Sequence, residues 1–166
     1  MSPVGIAVTL VAAQRLGELA LSQRNTRALL AQGAIEYGRA HYPLIVAMHV
    51  AWLGALLIFV PRETEPSWPW AWVYIALQGV RAWTIVSLRP YWTTRVLTLP
   101  QRPLVARGPY RVMRHPNYAV VAAEIAVLPL VFGAWPIAVW FSLANAAVLT
   151  WRIRVEDRAL APRRTL

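Results

Sequence analysis

The sequence contains no cysteine and no lysine, and acidic residues are few. Without cysteine the chain can form no disulfide framework, no thiolate metal site and no thiol nucleophile. The chain has seven Asp and Glu residues and 17 basic residues, all of them arginine, so the formal net charge is +10. We draw no functional inference from the lack of lysine.

Charge of either sign is scarce, because only 14% of the residues are charged and 58% are hydrophobic. The mean hydropathy is +0.43, whereas about 25% charged residues are typical of a soluble domain. Each crossing of a bilayer needs about 20 residues. The sequence therefore predicts one integral-membrane domain over residues 1–166, with no room for a separate soluble domain.

Five apolar segments predict an all-α polytopic membrane protein with five transmembrane helices. They cover residues 4–21, 43–60, 68–88, 118–132 and 135–151. The first segment has no basic region before it and is expected to be a retained span rather than a signal peptide. Only two residues separate the last two segments, which indicates a tight antiparallel helical hairpin.

The arginines between these segments predict the orientation in the membrane. Connections 22–42 and 89–115 and the tail 152–166 carry three, six and five arginines, and the remaining connection carries only Arg62. By the positive-inside rule the N-terminus lies outside and the C-terminus in the cytoplasm. We interpret the arginines as topology signals and contacts with anionic membrane lipids, and expect no nucleic-acid partner.

Two short motifs lie in the long connection 89–117, directly before the fourth segment. They read RGPYR at residues 107–111 and RHPNY at residues 114–118. Pro116 disfavours helical geometry at His115 but is well tolerated at a helix start, so the imidazole should lie at a helix N-terminus. Such an end attracts carboxylate or phosphate. The alternative is that Arg114 and His115 only anchor the span in lipid headgroups.

A second group of charged residues, RIRVEDRAL at residues 152–160, follows the fifth segment. If the helix continues, Arg152 and Glu156 share one face. This could be an ordinary salt-bridged helix end. However, Arg before Glu is the less favourable order, and carboxylates near a helix C-terminus oppose its dipole. These two details favour a functional role.

Ionisable residues inside spans are functional candidates, and this chain has Arg81 in the third segment and Glu124 in the fourth. These two residues could also pair with each other. Asn145 is more simply explained by a hydrogen bond to a neighbouring helix, and His49 by a core role. The three histidines are too widely spaced to indicate a metal site.

The motifs at 107–118 and 152–160, with the hairpin between them, resemble the isoprenylcysteine carboxyl methyltransferase family over roughly residues 91–160. One departure is the pair Glu156-Asp157, where many members have two glutamates. Residues 33–43, GAIEYGRAHYP, look like small bacterial members associated with type III polyketide synthases. Those members are thought to methylate alkylpyrones or alkylresorcinols.

The resemblance implies an enzyme of the bacterial inner membrane that binds S-adenosylmethionine in a cytoplasmic pocket, closed by residues 89–117 and the tail. Arg152 and Glu156 would be catalytic and face the reacting group of a lipophilic substrate. The cofactor-binding residues would be Val112, Met113, Arg114, His115, Tyr118 and Glu156. A guanidinium can hold an acidic oxygen, and Glu156 or His115 could accept the proton of a less acidic phenol. Nothing in the sequence indicates the oligomeric state.

Three other functions remain open. Membrane sterol-type reductases share an RHPNY-like element but bind NADPH. Phospholipid amine N-methyltransferases also have a short helical membrane fold. A non-enzymatic membrane protein that binds anionic lipid through its arginines is the third.

Overall fold

Five α-helices make up most of the computed structural model, which describes residues 2–100 and 102–163. They are α1 (Pro3–Ala31), α2 (Tyr42–Phe59), α3 (Trp68–Leu88), α4 (Pro116–Val131) and α5 (Trp135–Leu160). The predicted all-α membrane fold is confirmed, with α4 and α5 forming the hairpin. Residues 164–166 of the predicted tail lie outside the described residues.

Four of the described helices, α1, α2, α3 and α5, are long and apolar enough to cross a membrane. Helix α4 has only 16 residues, fewer than the roughly 20 of a full span. It starts at Pro116 and ends before Gly133, and ten of its residues are buried as it packs between α3 and α5. Helix α4 is therefore the central helix of the bundle.

Helix α1 continues ten residues beyond the predicted end of the first segment. The polar residues Arg15 and Glu18 lie in its interior instead of at a membrane interface. Ser22 and Asn25 are buried and hydrogen-bonded to the connection after α3. Tertiary contacts thus satisfy the polar half of α1, which is why the helix does not end where the apolar run ends.

Two three-residue strands, β1 (Ile35–Tyr37) and β2 (Val96–Thr98), were not predicted. They pair antiparallel, with Ile35 opposite Thr98, and so join the connections that follow α1 and α3. At the other end of the bundle, the Ser67 amide before α3 donates to the carbonyl of Val131, the last residue of α4, over 2.7 Å. The start of α4 therefore lies near the end of α3, on the same side as the two strands, and the end of α5 lies there too. We call this side of the bundle the site end.

Inside the bundle, two arginines and two glutamates form a four-residue ion cluster: Arg15, Glu18, Arg81 and Glu124. Arg81 Nη1 lies 3.0 Å from Glu124 Oε2, which confirms the predicted pair. Arg15 also contacts both carboxylates, at 2.8 Å from Glu124 and 3.2 Å from Glu18, and Arg81 pairs with Glu18. The cluster links α1 to α3 and α4, and its formal charge is zero.

Candidate active site

A cavity of about 550 Å³ opens at the site end, where the predicted motifs meet. Its walls come from β2, the connection 89–115, the start of α4 and the end of α5. Lining residues from the predicted set are Arg114, His115, Tyr118, Arg152 and Glu156. The structure therefore brings the motif at residues 114–118 and the charged group at residues 152–160 together around one cavity.

His115 and Tyr118 form the α4 wall of this cavity. His115 is the residue before the first helical residue, Pro116, as the sequence predicted. Its ring stacks on the Tyr118 ring with centroids 5.4 Å apart and an interplanar angle of 15°. Its Nε2 lies 3.2 Å from Asp157 Oδ1. The imidazole is thus fixed between the start of α4 and the end of α5.

Arg152 and Glu156 lie on one face of α5, because the helix continues to Leu160. Among the described side chains they make no direct ion pair with each other. Instead, Tyr118 Oη accepts a hydrogen bond from Arg152 Nε over 2.8 Å and donates one to Glu156. Arg152 also lies over the Tyr118 ring, 5.4 Å from its centroid. Tyr118 is therefore the residue that connects the two predicted catalytic side chains.

The Arg152 guanidinium is buried, with 6% of the residue exposed. Besides Tyr118 Oη, its partner is the main-chain oxygen of Thr94, which Nη2 reaches over 2.7 Å. Both are neutral oxygens, and no carboxylate of the described residues lies within ion-pair distance of Arg152. Buried guanidinium groups are usually paired with an anion. The Arg152 charge is thus available to an anionic ligand in the cavity.

Two buried polar atoms at the α4 wall have no hydrogen-bond partner among the described residues. They are His115 Nδ1 and Asn117 Oδ1, on residues that line the cavity. For His115 Nδ1, Glu156 Oε1 lies 3.9 Å away, which is too long for a hydrogen bond. Such orphaned atoms are expected where a polar ligand binds.

The RGPYR motif holds the connection against α3. Gly108 has φ +56°, and a Cβ there would clash with the Ser87 side chain, so glycine is required on two grounds. Arg107 donates to the main-chain oxygens of Ser87 and Arg89. These contacts place Tyr110 in the cavity wall. Burial, and secondarily the Glu156 carboxylate, raise the pKa of the Tyr110 phenol above its ordinary value.

Val112 and Met113 do not line the cavity. Val112 is 87% exposed and Met113 is also exposed. A cofactor contact by these two residues stays a prediction. Arg114 is exposed but borders the cavity.

Sequence reasoning missed three contributions to this site. Thr94 acts through its main-chain oxygen, which no sequence pattern reveals. Tyr110 lies within the quoted RGPYR motif and could have been proposed from its position. Arg163 donates to the main-chain oxygens of Arg102 and Pro103 over 2.7 and 3.1 Å and so closes one side of the cavity.

The sequence model of the isoprenylcysteine carboxyl methyltransferase family matches residues 70–162, more than half of the chain. The chain belongs to this family. The match includes α4, α5 and the cavity residues of the motifs at 107–118 and 152–160. It leaves out α1, β1 and α2. Family membership implies that the chain is a membrane methyltransferase.

Two relatives in the same size range are similar along almost the whole chain. The uncharacterized protein YpbQ of Bacillus subtilis is 40% identical over 160 residues, which cover 93% of this chain and 95% of YpbQ. An uncharacterized protein of Haemophilus influenzae is 26% identical over 163 residues, or 95% of each chain. No solved structure gives a significant match.

Proposed function

We propose that this isoprenylcysteine carboxyl methyltransferase family member is an S-adenosylmethionine-dependent O-methyltransferase. Its acceptor would be a lipophilic molecule with an acidic oxygen, and alkylpyrones or alkylresorcinols are the candidate class. The observation that carries the proposal is the buried Arg152 guanidinium, which lines the cavity and contacts two neutral oxygens but no carboxylate of the described residues. An anionic oxygen would supply the missing charge.

The residues present fit S-adenosylmethionine as the methyl donor. When bound, it supplies an electrophilic methyl group on a sulfonium centre. The unpartnered His115 Nδ1 and Asn117 Oδ1 offer hydrogen bonds to a polar ligand, and the adjacent N-terminus of α4 favours a carboxylate. His115, Asn117, Tyr118 and Glu156 would hold this group.

The side chains around Arg152 would position the acceptor oxygen. Tyr118 and Thr94 fix the guanidinium from two directions, so its remaining donor group can hold an oxyanion without rearrangement. Glu156 accepts a hydrogen bond from the Tyr118 hydroxyl. For a less acidic phenol, its carboxylate would act as the base that removes the phenol proton. Apolar wall residues such as Leu97, Leu99 and Leu104 limit the access of water.

Thermal unfolding of the detergent-purified protein tests the cofactor. A ligand that binds only the folded state stabilises it by about 2.7 kcal/mol at 100 times its Kd. We expect S-adenosylmethionine and S-adenosylhomocysteine to raise the Tm, and NADPH to leave it unchanged. A rise with NADPH alone would refute the proposal in favour of a sterol-type reductase.

Methyl transfer from labelled S-adenosylmethionine then tests the acceptor. The panel contains an alkylpyrone, an alkylresorcinol and phosphatidylethanolamine in mixed micelles. We expect product with one or both of the first two. Product with phosphatidylethanolamine alone would indicate amine N-methylation and contradict the role given to Arg152.

We also propose that the site end faces the cytoplasm of a bacterial inner membrane, in line with the arginine distribution. Because the chain has no cysteine, single cysteines report sidedness without background. In intact cells a membrane-impermeant maleimide should label Glu63→Cys, between α2 and α3, but not Gln32→Cys, after α1. The reverse pattern would overturn this orientation.

A further inference from the structure

The buried polar face at the end of α1 contacts the connection after α3. Ser22 is 2% exposed, and its Oγ accepts a hydrogen bond from the Thr94 amide over 2.8 Å. The same Oγ lies 2.8 Å from Thr94 Oγ1. One turn along, Asn25 Nδ2 donates to the Trp92 main-chain oxygen over 2.8 Å. Helix α1 thus holds residues 92–94 through three hydrogen bonds.

The held segment is the one that contacts Arg152. The Thr94 main-chain oxygen accepts from Arg152 Nη2 over 2.7 Å, while Tyr118 Oη accepts from Nε over 2.8 Å. A guanidinium is a rigid planar fork, so two fixed acceptors determine both its place and its plane. A shift of Thr94 would therefore turn the Arg152 donors that face the cavity.

A further contact to Thr94 comes from the segment 33–43, singled out in the sequence. Tyr42 Oη lies 3.2 Å from Thr94 Oγ1. Arg95, next to Thr94, pairs with Glu36 over 2.7 Å and lies 5.0 Å from the Tyr42 ring centroid. The N-terminal region thus encloses Thr94 from two sides.

We propose that Ser22 is a positioning residue for Arg152 and acts through the Thr94 main-chain oxygen, with Tyr42 as the secondary support. The inference rests on the proposed function, because it assigns Ser22 to the same methyl transfer. It gives α1, which lies outside the family match at residues 70–162, a part in the reaction. Supporting hydrogen bonds of this kind fix a reactive group within the narrow range that catalysis needs.

The test compares Ser22→Ala with the matched control Thr26→Val. Thr26 lies one turn along α1 and is also buried, but its hydroxyl has no hydrogen-bond partner among the described residues. We expect Ser22→Ala to lower the acceptor kcat/KM about tenfold, mainly through kcat, because a misplaced Arg152 stabilises the transition state less well. The Kd of S-adenosylhomocysteine should not change. Thr26→Val should match the parent protein in both measurements.

Two results would overturn the inference. One is an acceptor kcat in Ser22→Ala equal to that of Thr26→Val. The other is a parallel loss of S-adenosylhomocysteine affinity, which would indicate a general structural role. If Ser22→Ala cannot be purified, Tyr42→Phe removes the other hydroxyl contact to Thr94, and the same selective fall in kcat is expected.

A second measurement does not depend on methyl transfer. Phenylglyoxal modifies accessible guanidinium groups, and mass spectrometry of peptides reports each arginine separately. We expect Arg152 to react several-fold faster in Ser22→Ala than in the parent, while Arg81 reacts at an unchanged rate. Equal Arg152 rates would refute the positioning role. A parent protein that binds no adenosyl compound would refute the proposed function while leaving this comparison interpretable.

Discussion

Tyr118 gives the pair Arg152 and Glu156 its geometry, since its hydroxyl contacts both. We expect Arg152→Ala to abolish turnover by removing the group that holds the acceptor oxygen, and Glu156→Gln to abolish it by removing the carboxylate. Both proteins should remain extractable and folded. Methyl-transfer assays measure turnover, and circular dichroism measures whether each variant is folded. Arg154→Ala, on the exposed face of α5, is the matched control. Normal turnover in both variants would remove the proposed site.

His115 is expected to act on the donor side of the cavity. Its Nδ1 is buried without a hydrogen-bond partner among the described residues, whereas Arg152 would serve the acceptor. His115→Ala should weaken S-adenosylhomocysteine binding about tenfold and change the acceptor KM little. Titration by thermal shift measures the first value and steady-state kinetics the second. Unchanged affinity for the adenosyl compound would count against the α4 wall as the donor site.

The connection between α3 and α4 depends on Gly108, which combines a positive φ with close approach to Ser87. Gly108→Ala should displace the 3₁₀ helix Gly108–Arg111 and with it Tyr110, at a cost of about 1–3 kcal/mol from the backbone alone. We expect a lower Tm and a lost thermal shift with S-adenosylhomocysteine. Gly79→Ala, in the middle of α3 with nothing within 4 Å of a new Cβ, is the control. Equal behaviour of the two variants would contradict this account.

The four-residue ion cluster joins three helices, and Glu124 at its centre is 0% exposed. Glu124→Gln would leave Arg15 and Arg81 with Glu18 alone, which leaves an uncompensated positive charge inside the bundle. Breaking a buried ion pair costs about 3–5 kcal/mol, so the Tm in detergent should fall clearly. Removing one positive charge as well, in Glu124→Gln/Arg15→Gln, should recover part of the loss. The control Glu65→Gln, on the exposed connection before α3, should leave the Tm unchanged. An unchanged Tm in Glu124→Gln would show that the fold does not depend on the ion cluster.

Membrane residence and the helical hairpin were predictable from the sequence, because long apolar runs and a two-residue break leave few alternatives. The residues 114–118 and 152–156 were joined into one site by their resemblance to the isoprenylcysteine carboxyl methyltransferase family, and the cavity between the start of α4 and the end of α5 agrees with it. The start of α4 at Pro116 followed from the restricted backbone of proline. The extent of α1 did not, since its polar half is stabilised by partners distant in sequence.

Hydropathy thus indicated a membrane protein, and helix periodicity placed Arg152 and Glu156 on one helix face. The methyltransferase activity followed from the resemblance of the motifs to the family whose model matches residues 70–162. Only the tertiary structure decided that Tyr118 lies between them, that the Thr94 carbonyl holds Arg152 and that Arg81 and Glu124 belong to a cluster of four. The physical reason is that local propensity acts within a few residues. Hydrogen bonds such as Ser22 to Thr94, 72 positions apart, exist only once packing has brought distant segments together.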